Sequence, residues 1–224
     1  MEHIIKTIRR PAAEVVRAVA AFPSATLHEA QGRIGALDSR IKPVAQGMQF
    51  CGPALTVRCT PGDNLMVSAA ISIAQPGDVI VIDAGGNEEQ GPFGEVLATA
   101  AKARGVAAMV FNCGVRDAAA LRKLGLPIFS IGLSIKGTVK ETLGEVNHPV
   151  VVGGVHINPG DILCGDDDGV VLVRADDAAS VAEKSAEREA KEAQFMERLR
   201  SGESVLDVLG MGKVLAAKGC RWQE

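Results

Sequence analysis

Val79-Ile80-Val81-Ile82-Asp83, breaking into Ala84-Gly85-Gly86, and the later Val106-Ala107-Ala108-Met109-Val110-Phe111 carry the fold class of this chain. Each is a short apolar run bounded by turn residues, the pattern of a strand buried on both faces. Between them, Gly94 to Arg104 sets Val96, Leu97, Ala100 and Ala101 at helical spacing and stops at Gly105. Strand, helix and strand in this order predict a βαβ unit with two parallel neighbours in one sheet. The helix rises roughly 16 Å and the following strand returns roughly 23 Å. Gly114-Val115-Arg116-Asp117 therefore comes back near the helix start at Glu95. That edge, at the carboxyl ends of parallel strands, is where open α/β sheets bind ligands. The first-turn N–H groups of Gly94, Glu95, Val96 and Leu97 lack partners within the helix and can hold an anion. Two carboxylates and one arginine at a single turn are the makings of a metal-assisted anionic site. Arg116-Asp117 alone is a common dipeptide, and surface pairing is its simplest explanation.

Further elements are expected on both sides of this unit. A helix from about Ala12 to Ala21 precedes the Pro23 break, and a short helix follows from Thr26. Strands are expected near Gly52 to Arg58, Pro127 to Ile131, Val150 to Val152 and Gly169 to Val173. Leu65 to Ala74 reads as a helix opened by a turn and cap in Pro61-Gly62-Asp63-Asn64. From Asp176 to Arg200 the chain is charged and alanine-rich, with Glu187 four residues before Lys191, which reads as a solvated helix. One domain spanning 1–224, with a C-terminal helical segment over about 176–224, is the expected organisation.

Composition narrows the function classes. Of the 224 residues 47% are hydrophobic but only 3% aromatic, so the core must be aliphatic. A net charge of −3 gives no broad basic field, which argues against nucleic acid as a partner. No apolar run nears the roughly 18 residues that span a bilayer, and no apolar signal core opens the chain, so a cytoplasmic location without membrane attachment is expected. Cys51, Cys59, Cys113, Cys164 and Cys220 form neither a Cys-x-x-Cys pair nor a zinc spacing, and they are expected to be reduced. Cys113 lies closest to the candidate site, although ordinary packing outweighs catalysis there. Asp166-Asp167-Asp168-Gly169 lacks EF-hand spacing and reads as a tight turn, and His28-Glu29 lacks the second histidine of a zincin. His156 reads as structural, and Asp83 to Gly86 as a pocket rim rather than a nucleotide loop. Arg58 and Asp63 suit an ion pair or a cap as well as they suit a site.

Phe93-Gly94-Glu95-Val96-Leu97-Ala98-Thr99, then Arg104-Gly105-Val106 and Gly114-Val115-Arg116-Asp117, resemble the RraA-like superfamily. Within it the likeness is to the class II 4-hydroxy-4-methyl-2-oxoglutarate/4-carboxy-4-hydroxy-2-oxoadipate aldolases. It extends from Thr26-Leu27-His28-Glu29-Ala30-Gln31-Gly32-Arg33 through Pro61-Gly62-Asp63-Asn64 to Ile157-Asn158-Pro159-Gly160-Asp161 and Asp166 to Val171. The resemblance implies a mixed α/β sandwich with a swivelling β/β/α core rather than a simple Rossmann sheet. It also implies retro-aldol release of pyruvate from a 2-keto acid, with oxaloacetate decarboxylation as a side activity. Asp117 matches the ligand of a divalent cation, magnesium or manganese, and Arg116 matches the arginine that holds the pyruvyl end together with the backbone of Gly94 to Leu97. Glu95 falls where the aldolase pattern has Asp and where metal-bound water is held, so it carries one extra methylene. Glu192 matches a glutamate reaching a neighbouring subunit's metal site through water, with Glu189 and Glu187 close by, which implies a homotrimer or homohexamer. The same superfamily contains regulators that inhibit an RNA-degrading enzyme by protein contact, and a dedicated oxaloacetate decarboxylase is a further alternative.

Overall fold

The structure, a computed structural model, describes residues 2–222. The chain begins α1 (Ala13–Val19), α2 (Ser24–Ala30), β1 (Lys42–Pro43), β2 (Phe50–Arg58), α3 (Leu65–Ile73), β3 (Val79–Asp83), α4 (Glu95–Ala103), β4 (Ala108–Phe111). It continues β5 (Gly114–Val115), α5 (Ala118–Leu124), β6 (Ile128–Ser130), β7 (Gly132–Leu133), β8 (Glu145–Val146), β9 (Val150–Val152), β10 (Val155–Ile157). It ends β11 (Ile162–Asp166), β12 (Gly169–Val173), α6 (Ala178–Arg200), α7 (Val205–Val208), α8 (Met211–Ala217).

The main sheet runs β1-β6-β4-β3-β2-β11-β12, with β8 also on β2. Strands β2, β3, β4 and β6 are parallel neighbours, whereas β1, β8, β11 and β12 join antiparallel. Strand β2 is the pivot. Its Ala54–Arg58 half pairs with β3 on one side, and Phe50–Pro53 pairs with β11 on the other before β8 takes over at Val57. The two ends of the sheet curl toward each other, where Lys42 donates to the Asp168 carbonyl and the Gly47 N–H donates to Asp167. The result is a nearly closed mixed sheet, the mixed α/β sandwich expected from the sequence.

Alternation along the strands divides the core. Leu55, Ile80, Ile82, Met109 and Phe111 face Met66, Ala98 and Leu121 from α3, α4 and α5. Val79, Val81, Val110 and Phe129 face the β9–β10 hairpin through Val150, Val152 and Ile157. Both faces are covered, so these strands are apolar throughout rather than alternating with polar residues. A third cluster joins Ile162, Cys164, Val171 and Val173 to Val19, Leu27 and Val181 on α1, α2 and α6.

Several boundaries shift for local reasons. Helix α2 starts at Ser24 because Pro23 sits at its N-cap and both the amide and the hydroxyl of Ser24 donate to Asp166. Strand β4 begins only at Ala108, because Val106 and Ala107 turn the chain by donating to Ala101 and Asp78 carbonyls. Asn64 occupies the N-cap of α3 without capping it; the cap is Asp63, which accepts from Leu65 and also from Glu141 and Thr142. Asp167 and Asp168 form the tip of the β11–β12 hairpin, the tight turn that was expected. Among the described residues no helix is long and apolar enough to cross a membrane.

Candidate active site

Three connections converge on the end of β5. The Arg116 N–H donates to the Phe93 carbonyl, Ser134 N–H to Val115, and Gly91 N–H to Lys136. Segments 89–94 and 134–137 thus clasp the chain as it leaves the sheet. The clasp is close enough to require glycine. A Cβ on Gly91 would lie 2.4 Å from the Ser134 carbonyl oxygen, and one on Gly94 would lie 2.2 Å from Asp117 Oδ2 and 3.0 Å from Arg116 Cγ.

Asp117 is held in the left-handed region, φ 59° and ψ 34°, at the N-cap of α5. Only Arg33 and Asn147 share a positive φ among the described residues other than glycine. Asp and Asn tolerate this conformation better than other side chains, but it still costs free energy, and such residues cluster at functional sites. The conformation turns the carboxylate back onto the start of α4, where the Glu95 N–H donates to Oδ2 at 3.0 Å. The first-turn anion is therefore Asp117 itself, and the Val96 and Leu97 amides remain at the same helix end. Arg116 Nε lies 4.0 Å from Asp117 Oδ2, too long for a tight pair, and both side chains are roughly 45% exposed. Among the described residues no protein acceptor takes a hydrogen bond from this guanidinium, whose Nη1 approaches Gly137. Glu95 is exposed at the rim of the same turn.

The arrangement offers an available cation, a carboxylate fixed through one oxygen, and a second carboxylate exposed on the adjoining first turn of α4. Its donors are hard oxygens, and among the described residues no group of three or more His, Cys, Asp or Glu side chains is gathered to hold a metal. A single carboxylate suits magnesium or manganese, which keep several waters and take further ligands from substrate. The residues present thus fit a divalent cation on Asp117, completed by water, substrate or another copy of the chain.

A family model described as "RraA-like: Aldolase/RraA" matches residues 14–172. The chain belongs to the RraA-like family. A relative from Halalkalibacterium halodurans, named "Putative 4-hydroxy-4-methyl-2-oxoglutarate aldolase", is 38% identical over 169 residues, covering 75% of this chain and 80% of the relative. The solved structure of RraAS2 from Streptomyces coelicolor, titled an unusual member of the RNase ES inhibitor RraA protein family, is 30% identical with a TM-score of 0.74. It covers 85% of this chain and 100% of its own. An uncharacterized protein from Pseudomonas syringae aligns with a TM-score of 0.79 at 26% identity, over 90% of this chain and 99% of that one.

Within this RraA-like chain the other candidates fall elsewhere. Glu192 lies on α6, which packs mainly on α1 and α2, and its carboxylate pairs with Arg188 at 2.7 Å. A single chain therefore does not bring it to Asp117. Cys113 is buried, and burial pushes its thiol up to about 12, so it stays protonated and inert. Arg58 pairs with Glu145. Glu29 pairs with Arg33 and Arg188, and His156 sits on β10. Asp83 ties down its own loop, accepting from Gly85 N–H and Asn112 Nδ2, and that loop lines a separate cavity of about 300 Å³ with Arg40 and Gly153. Sequence reasoning passed over Gly91 and Gly137 as site residues. Their roles depend on contacts between segments, although Gly91 falls just before Pro92-Phe93-Gly94, where an extra glycine was a usable signal.

Proposed function

We propose that this protein is a divalent-metal-dependent pyruvate aldolase acting on 4-carboxy-4-hydroxy-2-oxoadipate, 4-hydroxy-4-methyl-2-oxoglutarate or both. The observation carrying this reading is the left-handed Asp117, held against the Gly94–Glu95 backbone beside an uncommitted Arg116. The aldolase named among its relatives supports it.

Asp117 would hold the cation, with Glu95 and the Glu192 of a neighbouring copy acting through water. A cation bound there supplies Lewis-acid polarisation of the substrate's 2-keto oxygen. Arg116 binds the adjacent carboxylate through its planar fork, assisted by the Val96 and Leu97 amides, and so fixes the pyruvyl end. Glu95 orients the water that takes the proton from the C4 hydroxyl. The C3–C4 bond then breaks, C4 becomes a carbonyl, and the electron pair moves onto C3 and the 2-oxygen as pyruvate enolate. Arg116 sits beside that developing charge and stabilises it. Protonation at C3 releases pyruvate, with oxaloacetate or a second pyruvate as co-product. Oxaloacetate decarboxylation passes through the same enolate and is the expected side activity. No Schiff-base lysine is required.

A second reading, inhibition of an RNA-degrading enzyme through protein contact, is favoured by the name of the Streptomyces coelicolor relative. Pyruvate release assayed on both aldol substrates and on oxaloacetate, with magnesium, manganese or EDTA, separates the two. Metal-dependent cleavage supports the aldolase, whereas silence on all three beside inhibition of a ribonuclease supports the regulator.

A further inference from the structure

Strands β2 and β11 place Cys51 directly opposite Cys164. Ala54 N–H donates to the Asp161 carbonyl in the same register. The two-residue alternation of an antiparallel ladder then makes Cys51 and Cys164 a non-hydrogen-bonded pair, the class whose backbones and side chains lie closer. Pro53, which has no N–H to donate, occupies the same class of position opposite Ile162. The side chains use this proximity, for Cys164 Sγ lies 2.8 Å from Cys51 Sγ. A bond between them needs a closure of only about 0.8 Å. Both cysteines border a cavity of about 430 Å³ with Ala20, Phe22, Ser24, Phe50 and Asp166. Cys51 is half-buried at its wall and Cys164 is almost fully enclosed behind it. The remaining cysteines lack such a partner geometry. The Cys59 and Cys113 thiols are buried and pushed up to about 12 by desolvation, and the Cys164 thiol is raised too, by its hydrogen bond to Cys51 and by burial, so it is the facing sulfur and not acidity that sets the pair apart; Cys220 is exposed near the end of the chain.

We propose that Cys51 and Cys164 are a modification site, a dithiol that peroxide converts reversibly into a cross-strand disulfide. The more exposed Cys51 sulfur attacks hydrogen peroxide first, giving a sulfenic acid and water. Cys164 sulfur then displaces the sulfenic hydroxyl, which leaves with the Cys164 proton as a second water. The two sulfurs supply the two electrons that reduce the peroxide, and an external dithiol reverses the reaction by exchange. The bridge closes a loop of residues 113 apart and ties β2 to β11 beneath α1. It restricts the unfolded chain far more than the folded one.

The test uses the full chain carrying Cys220→Ser, which removes the exposed thiol. Reduced protein is treated with a modest excess of hydrogen peroxide, quenched with iodoacetamide and mapped without reduction. The expected product is lower in mass by two hydrogens, yields one linked peptide joining Cys51 to Cys164, and unfolds roughly 5 °C or more higher. Dithiothreitol restores both thiols and the original midpoint. In a further Cys164→Ala variant Cys51 stops at the sulfenic acid and is trapped by dimedone; if that variant does not fold, mapping of the intact pair still decides. Recovery of both thiols alkylated after peroxide treatment, or a bridge joining two chains instead, overturns the proposal.

Discussion

A carboxylate that is to ligate a cation has to be fixed in place without being neutralised. Asp117 meets that condition through backbone alone, since one oxygen accepts the Glu95 N–H and Arg116 Nε stays 4.0 Å away. Asp117→Asn keeps the size and the tolerance for a positive φ while removing the charge. It is expected to fold normally by circular dichroism and to lose at least about 100-fold in kcat/KM for pyruvate release. Arg116→Ala should cost a similar factor, expressed in both KM and kcat because in the proposed mechanism the same group binds the ground state and the enolate. Gly94→Ala tests the clasp. Its Cβ would lie 2.2 Å from Asp117 Oδ2, so the carboxylate must move, and activity should fall at least about 10-fold while secondary structure persists. The pairing of Glu95, Arg116 and Asp117 was legible from the length of a βαβ unit. The left-handed turn at Asp117 was not, because Asp adopts it only where contacts from the 89–94 segment enforce it.

At the scale of elements, one buried carboxylate joins two connections. Asp63 accepts N–H bonds from Leu65 at the start of α3 and from Glu141 and Thr142 in the segment leading to β8. Burial pushes its carboxyl up, but the three backbone donors outweigh burial and hold it below the usual carboxylate range. A depressed folded-state value contributes stability that is fully present above the unfolded value near 4 and is lost as pH falls through the folded one. Asp63→Ala should therefore lower stability by about 2–4 kcal/mol at neutral pH and flatten the fall in stability below about pH 4, both read from urea denaturation. Arg10 is another long-range tie, bidentate to the fully buried Asp78. Arg10→Ala leaves that carboxylate without its cation and should cost about 3 kcal/mol. The elements themselves were legible wherever apolar runs were unbroken, as in β3 and α4. The local cap at Asp63 was legible, but its ties to the Glu141 and Thr142 N–H donors were hidden because those lie 78 and 79 residues away in sequence, and the facing of Cys51 and Cys164 was hidden for the same reason.

For the whole molecule, the apolar side chains left exposed around the site bear on assembly. Val96 is 82% exposed and Ile135 is 95% exposed, with Leu133, Val139 and Leu143 also uncovered, and α6 carries Glu192 away from its own Asp117. The trimer or hexamer that the family resemblance implies predicts a light-scattering mass three or six times the 23.3 kDa of the chain. If Glu192 completes a neighbour's site, Asp117→Asn and Glu192→Ala proteins, each impaired alone, should regain activity when refolded together, because mixed assemblies contain sites intact in both residues. Glu189→Ala in place of Glu192→Ala is the control, and complementation by that variant alone would move the role to Glu189. The mixed α/β sandwich followed from strand order together with the family resemblance, but the near closure of its sheet was not legible, since the curl depends on Lys42 and Gly47 reaching a hairpin about 120 residues later.

Pyruvate release from 4-carboxy-4-hydroxy-2-oxoadipate decides whether Asp117 is the centre of a metal-dependent lyase. Wild-type and Asp117→Asn proteins are compared after EDTA treatment and again after magnesium is returned. Activity that disappears with EDTA, returns with magnesium in the wild type and stays absent in the folded variant is the expected result. Cleavage by the variant at the wild-type rate, or cleavage indifferent to EDTA, would contradict it.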